Sequence, residues 1–396
     1  MISVQEAIKI VRENTAIAKV NTFPLSEAAG HTLAEDIYVG LDIPAFPQSS
    51  MDGYAFSFQG WRENQALQVK GEIAAGDAPG SLESRAVAVR IFTGAVVPEG
   101  ADSVIEQEKV TVDKGQLTII RTDIVAGHNV RPQGSEIGKG ALALAKGTLL
   151  TPAAIGFLAG IGVAAVPVFA PPRITIIVTG KELQTPGLPL AQGQVYESNA
   201  IMLVSALRQI NLTHVQVFKV EDVLESVVDQ LHHALAISDI VLLTGGISAG
   251  DYDFVLRAAE ICGVTQHFYK VRQKPGKPLY FGAKDQKLVF GLPGNPASVL
   301  TCYYQYVLEA LSIYTQRQLA LPVRRVPLAV ALQKNTVFTQ FLKGTYDGTS
   351  VKPLTGQESY RLSSYAVANC LIVLVEEETS FPENKIVDIQ LLPHYG

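Results

Sequence analysis

Hydrophobic and polar positions alternate with two different periods along the middle third of the chain. Apolar runs of strand length, rich in β-branched residues, occupy residues 173–180, 214–220, 240–243 and 287–290. Stretches with helical spacing of apolar positions cover residues 199–208, 223–236, 254–261 and 296 to about 314. Strands that alternate with helices predict a doubly wound, mostly parallel β/α sheet with helices on both faces.

The turn after the strand at residues 240–243 differs from an ordinary loop. Gly245 and Gly246 follow the strand, and glycine lets a backbone approach a ligand closely because it has no Cβ. The polar residues of the turn are Ser248, Asp251 and Asp253. In the helix that follows, we expect one face to carry Phe254, Ala258 and Ile261. A strand, a glycine turn with acidic residues and a helix predict a ligand site at the carboxyl end of the strand.

Polar residues in glycine- or proline-rich contexts also follow the other predicted strands. They are Glu182, Glu221, Asp222, Lys270, Lys274, Lys277 and the turn Pro293-Gly-Asn295. Each alone would be an ordinary solvated loop residue. Because ligands of parallel sheets bind at the carboxyl ends of the strands, we expect these residues to converge there.

Carboxylates beside lysines are typical of a site for Mg²⁺ and phosphate. Mg²⁺ takes one or two carboxylates together with phosphate oxygens and water. The candidate ligands of the metal are Glu182, Asp222, Asp251 and Asp253. We expect the lysines and the backbone amides of the helix that Asn295 caps to hold the phosphate. The residues alone therefore predict Mg²⁺-assisted chemistry on a phosphorylated small molecule.

Other common chemistries lack their sequence motifs. The chain has no Walker A loop, no dinucleotide fingerprint at the start of the β/α region and no G-x-S-x-G elbow. His232 and His233 are adjacent on a predicted helix, so they cannot share one face and are interpreted as surface residues.

The net charge and the cysteines restrict the partners and the compartment. The 396 residues carry 32 basic and 37 acidic side chains, a formal charge of −5, without a block of like charge. This balance argues against a general nucleic-acid or membrane-surface binder. Three cysteines without metal or redox spacing favour a reducing compartment, and we expect a cytoplasmic protein.

Residues 148–172 contain no charge, but glycines and prolines interrupt them repeatedly. We interpret this segment as a short buried helix, with Thr151 as its N-cap and Pro152 at its first position, followed by a strand up to residue 169. A transmembrane helix is not expected. The flanking thirds of the chain show short β-like runs, such as 86–92, 116–120, 326–332 and 370–376. The prediction is therefore a multidomain α/β plus β protein with β-rich N-terminal modules and a small C-terminal β-barrel or sandwich.

Seven sequence motifs follow one another along the chain. They are Pro44–Ala55 (PAFPQSSMDGYA), 92–102 (FTGA and PEGAD), 129–137 (NVRPQGSEI), 179–183 (TGKEL), 244–253, 274–278 (KPGKP) and 292–298 (LPGNPAS). This ordered set closely resembles the molybdopterin molybdenumtransferases, the MoeA/gephyrin E-domain family. The resemblance extends from about residue 5 to the C-terminus.

The resemblance implies the last step of molybdenum cofactor synthesis. Members of the family bind adenylylated molybdopterin and molybdate, cleave the phosphoanhydride with Mg²⁺ and release AMP. The dithiolene sulfurs of the pterin hold the molybdenum, which fits a chain without a cysteine pair. The resemblance also implies a homodimer whose active site is shared between subunits, and contact with molybdopterin adenylyltransferase and molybdoenzymes.

The resemblance further implies four domains and a set of site residues. The expected domains are 1–45 with 140–170 (dimerisation), 46–139 (an inserted β-rich domain), 171–320 (MogA-like β/α, molybdopterin-binding) and 321–396 (C-terminal barrel). The catalytic residues implied are Asp52, Thr93, Glu182, Asp222, Asp253, Lys270 and Lys274, with Mg²⁺ on Glu182, Asp222 and Asp253. The substrate-binding residues implied are Arg131, Glu136, Gly245, Gly246, Ser248, Gly250, Asp251, Lys277, Pro293, Asn295, Pro296, Lys343 and Ser359.

The sequence departs from the family pattern at three positions, two of them in these motifs and the third in the C-terminal domain. Lys181 stands where an acid is often found, Glu136 where Asp is common, and Lys343 where Arg is frequent. The change at residue 343 removes bidentate binding of an oxyanion, because only the guanidinium group of arginine is forked.

Two other functions are compatible with parts of the sequence. A molybdopterin adenylyltransferase uses a similar β/α domain, but the flanking β modules and the motif at Ser50–Gly53 argue against it. A non-catalytic pterin-binding scaffold would not require the acidic residues and lysines. Consumption of ATP would favour the first alternative, and pterin binding without AMP release would favour the second.

Overall fold

The fold is described by a computed structural model, which covers residues 1–121, 123–246 and 254–393. The chain divides into two compact units. The larger unit comprises Met1–Phe23, Gly30–Ala34 and Pro167–Gly396, and the smaller unit comprises Pro24–Ala29 and Glu35–Val166. No helix among the described residues is long and apolar enough to cross a membrane.

The first 169 residues contain mostly short elements. In order they are α1 (Val4–Glu13), β1 (Val20–Pro24), a 3₁₀ turn (Leu25–Glu27), β2 (Ile37–Tyr38), β3 (Gln48–Ser49), β4 (Gly53–Phe56), α2 (Phe58–Asn64), β5 (Ala66–Ile73), β6 (Val87–Ile91), β7 (Ser103–Glu106), a 3₁₀ turn (Gln107–Lys109), β8 (Val110–Asp113), β9 (Gln116–Ile119), β10 (Val130–Arg131), β11 (Leu142–Leu144), α3 (Pro152–Gly160) and β12 (Ala165–Phe169). The prediction of a β-rich N-terminal region is confirmed.

The smaller unit is built on a six-stranded sheet with the order β7-β4-β6-β5-β9-β8 among the described residues. Apolar side chains pack on both of its faces, around Ile91 and Val104 on one side and around Phe56 and Leu117 on the other. Helix α3 begins as predicted, since Thr151 Oγ1 accepts a hydrogen bond from the amide of Ala154 at 3.2 Å. The expectation that α3 is buried is wrong, because Leu158 is its one buried residue.

The central part of the larger unit carries the β/α elements. They are β13 (Ile174–Thr179), β14 (Leu183–Gln184), β15 (Val195–Tyr196), α4 (Asn199–Gln209), β16 (Val215–Val220), α5 (Leu224–Ile237), β17 (Ile240–Thr244), α6 (Phe254–Ile261), β18 (Thr265–Tyr269), β19 (Gln273–Lys274), β20 (Tyr280–Lys284), β21 (Lys287–Leu292), α7 (Pro296–Cys302), a π-helical turn (Tyr303–Val307) and α8 (Leu308–Thr315).

The central sheet has the order β16-β13-β17-β21-β20-β18. The strands β16, β13, β17 and β21 are parallel, as predicted. The strands β18 and β20 had not been predicted; β20 is antiparallel to both of its neighbours, so the sheet is mixed at that edge. Every residue of β13 and β17 is buried because helices cover both faces, and alternate residues of β13 belong to two separate hydrophobic cores.

The predicted buried face of α6 is wrong at one residue. Ile261 of α6 is 60% exposed, although it had been placed on the same face as Ala258. The residues that α6 buries against the sheet are Val255, Ala258, Ala259 and, just after the helix, Cys262. The helix ends at Ile261, and Gly263, two residues later, has a φ of +72°.

The C-terminal part of the larger unit is a small barrel. Its elements are β22 (Val323–Pro327), β23 (Leu332–Gln333), β24 (Thr339–Tyr346), β25 (Val351–Pro353), α9 (Ser363–Ala366), β26 (Cys370–Leu374), β27 (Ser380–Phe381) and β28 (Ile386–Leu391). The strands pair in the order β24-β26-β28-β22, and β25 pairs with β24. A bridge between Leu328 and Val351 joins the end of β22 to β25 and closes the ring. The predicted C-terminal barrel is therefore confirmed.

Strand β19 joins the barrel to the β/α region. It pairs with β24 in parallel, with Gln273 opposite Thr339 and Lys274 opposite Gln340. This pairing places one of the predicted lysines at the junction of the two folds.

Candidate functional site

The carboxyl ends of three parallel strands bring together polar residues that are far apart in the sequence. In the register of the sheet, Thr179 lies opposite Val220, two residues before Asp222, and Val178 lies opposite Thr244. A Cβ atom added to Gly246 would lie 3.0 Å from Thr179 Oγ1 and 3.7 Å from Asp222 Oδ1. Both oxygens therefore surround the glycine turn that the sequence singled out.

Three buried oxygens at this edge have no hydrogen-bond partner among the described residues. They are Thr179 Oγ1, Asn199 Oδ1 and Asp222 Oδ1. Buried polar atoms are normally paired, so these three oxygens require a partner from outside the described residues, such as water, an ion or a ligand. Because all three are oxygen atoms, the set suits a hard cation or a ligand that donates hydrogen bonds.

Asn199 links the segments at the ends of β17 and β21 at this edge. Its Nδ2 donates to Thr244 Oγ1 at 2.8 Å and to the carbonyl of Gly294 at 2.9 Å. Since a carbonyl can only accept, the amide group must point its nitrogen there and its oxygen toward the unpaired side. Asn199 is not among the predicted site residues, because in the sequence it is an ordinary first residue of a helix.

The other predicted metal ligands are only partly described. Glu182 is an exposed residue, three positions after the end of β13. Ser248, Gly250, Asp251 and Asp253 lie outside the described residues. In the part of the chain that the structure covers, no group of three or more His, Cys, Asp or Glu residues could hold a metal ion. The ligand set Glu182, Asp222 and Asp253 therefore stays a prediction.

The two glycines of the turn are required by the neighbouring strand. Gly245 has a φ of +88°, and a Cβ there would lie 2.2 Å from the carbonyl oxygen of Thr179. Gly246 has a φ of +65°. The structure shows a close approach of the turn to strand β13, and the close approach to a ligand stays a prediction.

A cleft of about 1050 Å³ lies between the β/α region and the barrel. Its walls are the segments 273–278, 293–295 with Ser298, 340–342 and 354–360. Among the predicted site residues it is lined by Lys274, Lys277, Pro293, Asn295 and Ser359. The structure thus brings five of the predicted residues into one cavity.

The predicted residues that do not line this cleft include Lys270, Pro296 and Lys343. Lys270 follows β18, and its Nζ lies 4.6 Å from the centroid of the Tyr269 ring. Pro296 begins α7 directly behind Asn295. Lys343 lies on β24 behind the wall formed by residues 354–360.

A buried glutamine fixes the turn that carries the two lysines. Gln273 Nε2 donates to the carbonyls of Pro275 and Gly276, both at 3.1 Å, and Tyr306 donates to Gln273 Oε1. Gly276 has a φ of +86°, and a Cβ there would lie 2.7 Å from Cys302 Sγ. Buried residues therefore fix the turn between Lys274 and Lys277. The sequence did not predict this role of Gln273.

The turn at the start of α7 contacts the barrel. Asn295 Nδ2 donates to Ser359 Oγ at 2.8 Å, and the amide of Ala297 donates to the carbonyl of Ser359 at 3.1 Å. The amides of Ser298 and Val299 both donate to the carbonyl of Asn295 at 3.0 Å. The first-turn amides are thus occupied within the protein, and the expectation that they hold a phosphate is not supported.

Lys343 is buried, with 2% of its surface exposed. Its Nζ donates to the carbonyls of Gly356, Glu358 and Arg361 at 2.8, 3.4 and 3.1 Å. Burial lowers the pKa of this ammonium group. All three N–H donors of the side chain are therefore used by backbone carbonyls, which was not expected of a substrate-binding residue.

Two predicted catalytic residues pair with each other in the smaller unit. The backbone amide and the hydroxyl of Thr93 both donate to Asp52 Oδ1, each at 2.8 Å. The hydrogen bond from the amide, followed by the one from the hydroxyl, lowers the pKa of the Asp52 carboxyl. Asp52 is therefore held as a carboxylate in one orientation.

Arg131 and Glu136 line a second cavity, of about 550 Å³, in the smaller unit. Asp42 organises the loop between them, since it accepts hydrogen bonds from Gln133 Nε2 and from the amide of Lys139, both at 2.8 Å. These two bonds lower the pKa of Asp42. Asp42 was not among the predicted residues, although an aspartate before an Ile-Pro pair is a typical loop-forming residue.

Comparison with known proteins covers the chain almost completely. Three family models match it: "MoeA N-terminal region (domain I and II)" over residues 2–162, "Probable molybdopterin binding domain" over residues 175–312 and "MoeA C-terminal region (domain IV)" over residues 325–392. The three matches follow the same order as the motifs.

Relatives and solved structures agree with these matches. The chain is 32% identical to a molybdopterin molybdenumtransferase of Haemophilus influenzae, over 93% of both chains. It is 32% identical to one of Staphylococcus epidermidis, over 98% of this chain and 95% of the other. The molybdopterin biosynthesis MoeA protein of Pyrococcus horikoshii has the same fold, with a TM-score of 0.84, 28% identity and full coverage of both chains. The chain therefore belongs to the MoeA family of molybdopterin molybdenumtransferases.

Proposed function

We propose that this protein inserts molybdenum into the pterin of the molybdenum cofactor. Its substrates are molybdate and adenylylated molybdopterin, and its second product is AMP, released when the phosphoanhydride is cleaved. The observation that carries the proposal is the cleft lined by Lys274 and Lys277, together with buried oxygens at the carboxyl edge of the sheet that have no partner among the described residues, in a chain that matches the family over 93% of its length.

A magnesium ion at this edge is supported by two oxygen atoms of the described residues. Asp222 Oδ1 and Thr179 Oγ1 are buried oxygens around one glycine that have no hydrogen-bond partner in the described part of the chain, and Mg²⁺ binds oxygen ligands of this kind. We propose that Asp222 holds the ion, together with Glu182 and with Asp253 outside the described residues. When bound, the ion would withdraw charge from the phosphoanhydride and stabilise the departing phosphate.

The residues of the cleft then take distinct roles. The ammonium groups of Lys274 and Lys277 line the cavity and would attract the phosphate and the molybdate, with Lys270 near the same edge. Pro293 and Asn295 would shape the nucleotide end, with Pro296 behind them. Gly245, Gly246, Ser248, Gly250 and Asp251 would form the turn beside the metal.

The smaller unit would act in a homodimer. We propose that Asp52, Thr93, Arg131 and Glu136 complete the site of a second copy of the chain. Support comes from the polar pairing of Asp52 with Thr93 and from the exposed apolar surface of α3. The product would pass to molybdoenzymes, and the substrate would come from a molybdopterin adenylyltransferase. The buried, unpaired cysteines favour a reducing compartment, which we take to be the cytoplasm.

The proposal is tested by incubating the protein with adenylylated molybdopterin and Mg²⁺, with and without molybdate, and measuring AMP. We expect AMP release that requires both Mg²⁺ and molybdate. Consumption of ATP with unmodified molybdopterin would instead identify an adenylyltransferase. Binding of the pterin without release of AMP would identify a scaffold.

A further inference from the structure

One wall of the cleft is a loop that folds around a single lysine. Residues 354–360 line the cavity, and Lys343 lies directly behind them. The carbonyls of Gly356, Glu358 and Arg361 converge on Lys343 Nζ. An ammonium group has three N–H donors, so one side chain satisfies three carbonyls of the loop.

The rest of the loop is fastened to the same strand position. Gln357 Oε1 accepts from the amide of Lys343 at 3.0 Å, and Gln357 Nε2 donates to the carbonyl of Lys343 at 2.8 Å. The amide of Leu354 also donates to that carbonyl, at 2.9 Å. The loop therefore contacts both the backbone of Lys343 and its ammonium group.

This loop carries the contacts between the barrel and the start of α7. Ser359 lies between two of the carbonyls that Lys343 holds, and it pairs with both Asn295 and Ala297. A displacement of the loop would move Ser359 and would release the side chain of Asn295.

We infer that Lys343 is a positioning residue, which fixes the loop 354–361 as a wall of the cleft and delivers Ser359 to Asn295. It does not contact the substrate itself. Its chemistry explains why lysine suits this chain: three carbonyls meet at one nitrogen atom, whereas a planar guanidinium group would present its donors in a fork. The importance of the wall for substrate binding rests on the proposed function; the order of the loop does not.

The first test is hydrogen exchange of the protein without any ligand. In Lys343→Met, which keeps an unbranched side chain one atom shorter and removes the donors, we expect the amides of 354–361 to exchange at least tenfold faster. The matched control is Lys334→Met. Lys334 is also a buried lysine of the barrel that donates to backbone carbonyls, but these belong to Phe338 and Val375. The control should leave the exchange of 354–361 unchanged. Wild-type exchange in Lys343→Met would overturn the inference.

The second test separates positioning from direct contact by measuring the affinity for AMP. If Lys343 acts through Ser359, the variant Lys343→Met/Ser359→Ala should bind AMP within twofold of Lys343→Met alone. Losses that multiply in the double variant would mean a direct contact and would contradict the inference. Lys334→Met combined with Ser359→Ala should show independent losses. If the wild-type protein does not bind AMP, the proposed function fails, and the exchange experiment still decides the role of Lys343.

Discussion

Asn295 and Ser359 are separated by 64 residues in the chain and are joined by a hydrogen bond of 2.8 Å from Nδ2 to Oγ. Asn295 precedes the helix α7 of the β/α region, and Ser359 lies on a loop of the barrel. Both residues line the cleft, so this bond sets the distance between two of its walls.

We therefore predict that Ser359→Ala weakens the binding of AMP by roughly two- to tenfold, the range that corresponds to the net free energy of one hydrogen bond. Isothermal titration calorimetry with AMP measures the change. Ser363→Ala is a suitable control, since Ser363 is exposed and does not line the cleft. Equal affinities of Ser359→Ala and the wild type would show that the bond does not shape the site.

The pairing of Thr93 with Asp52 predicts a titration shift. Thr93→Val removes the hydroxyl donor and keeps the backbone donor, so the pKa of Asp52 should rise part of the way toward its ordinary value. Because the folded-state pKa of Asp52 is lowered, its contribution to stability is present above the unfolded pKa and is lost as the pH falls through the folded pKa. The carboxyl titration can be followed by NMR. An unchanged pKa would mean that the hydroxyl does not bind the carboxylate in solution.

Gly276 should be sensitive to the addition of one methyl group. In Gly276→Ala the Cβ would lie 2.7 Å from Cys302 Sγ and 2.8 Å from Gln273 Nε2, and the φ of +86° is unfavourable for alanine. We expect the larger unit to lose about 2–4 kcal/mol of stability, from backbone strain and overpacking together.

Gly348→Ala isolates the contribution of the clash. Gly348 also has a positive φ, of +101°, but no atom lies within 4 Å of its added Cβ. Thermal unfolding of the two variants should therefore show a clearly larger loss for Gly276→Ala. Equal losses of stability would mean that Gly276 is not tightly packed against Cys302.

The strands and helices of the β/α region could be predicted because burial on both faces leaves a simple pattern. Strand β13 is an uninterrupted apolar run, and α5 repeats apolar residues with helical spacing. Strand β18 was missed because its first two residues, Thr265 and Gln266, are exposed polar residues at the edge of the sheet. Ile261 was misplaced because a hydrophobic residue near a helix end satisfies the period without being buried.

The part of the site that depends on the order of strands in the sheet could be predicted. Because β13 and β16 are parallel, Thr179 and Asp222 lie at the same edge of the sheet. Their proximity could therefore be predicted from the order of strands and helices. The role of Lys343 could not be predicted, since the carbonyls it binds lie 13–18 residues further along a loop. The same is true of Gln273, whose partners include Tyr306 in a distant helix.

The most direct test of the account is the rate of AMP release from adenylylated molybdopterin by Asp222→Asn. This variant keeps the shape of the side chain and removes the charge beside Thr179 and Gly246. We predict a loss of about 10²–10³-fold in the presence of Mg²⁺ and molybdate, comparable to the loss of one essential electrostatic contact. Asp229→Asn, an exposed carboxylate on α5, should release AMP at the wild-type rate. If Asp222→Asn also releases AMP at that rate, the metal-assisted cleavage does not take place at this edge of the sheet.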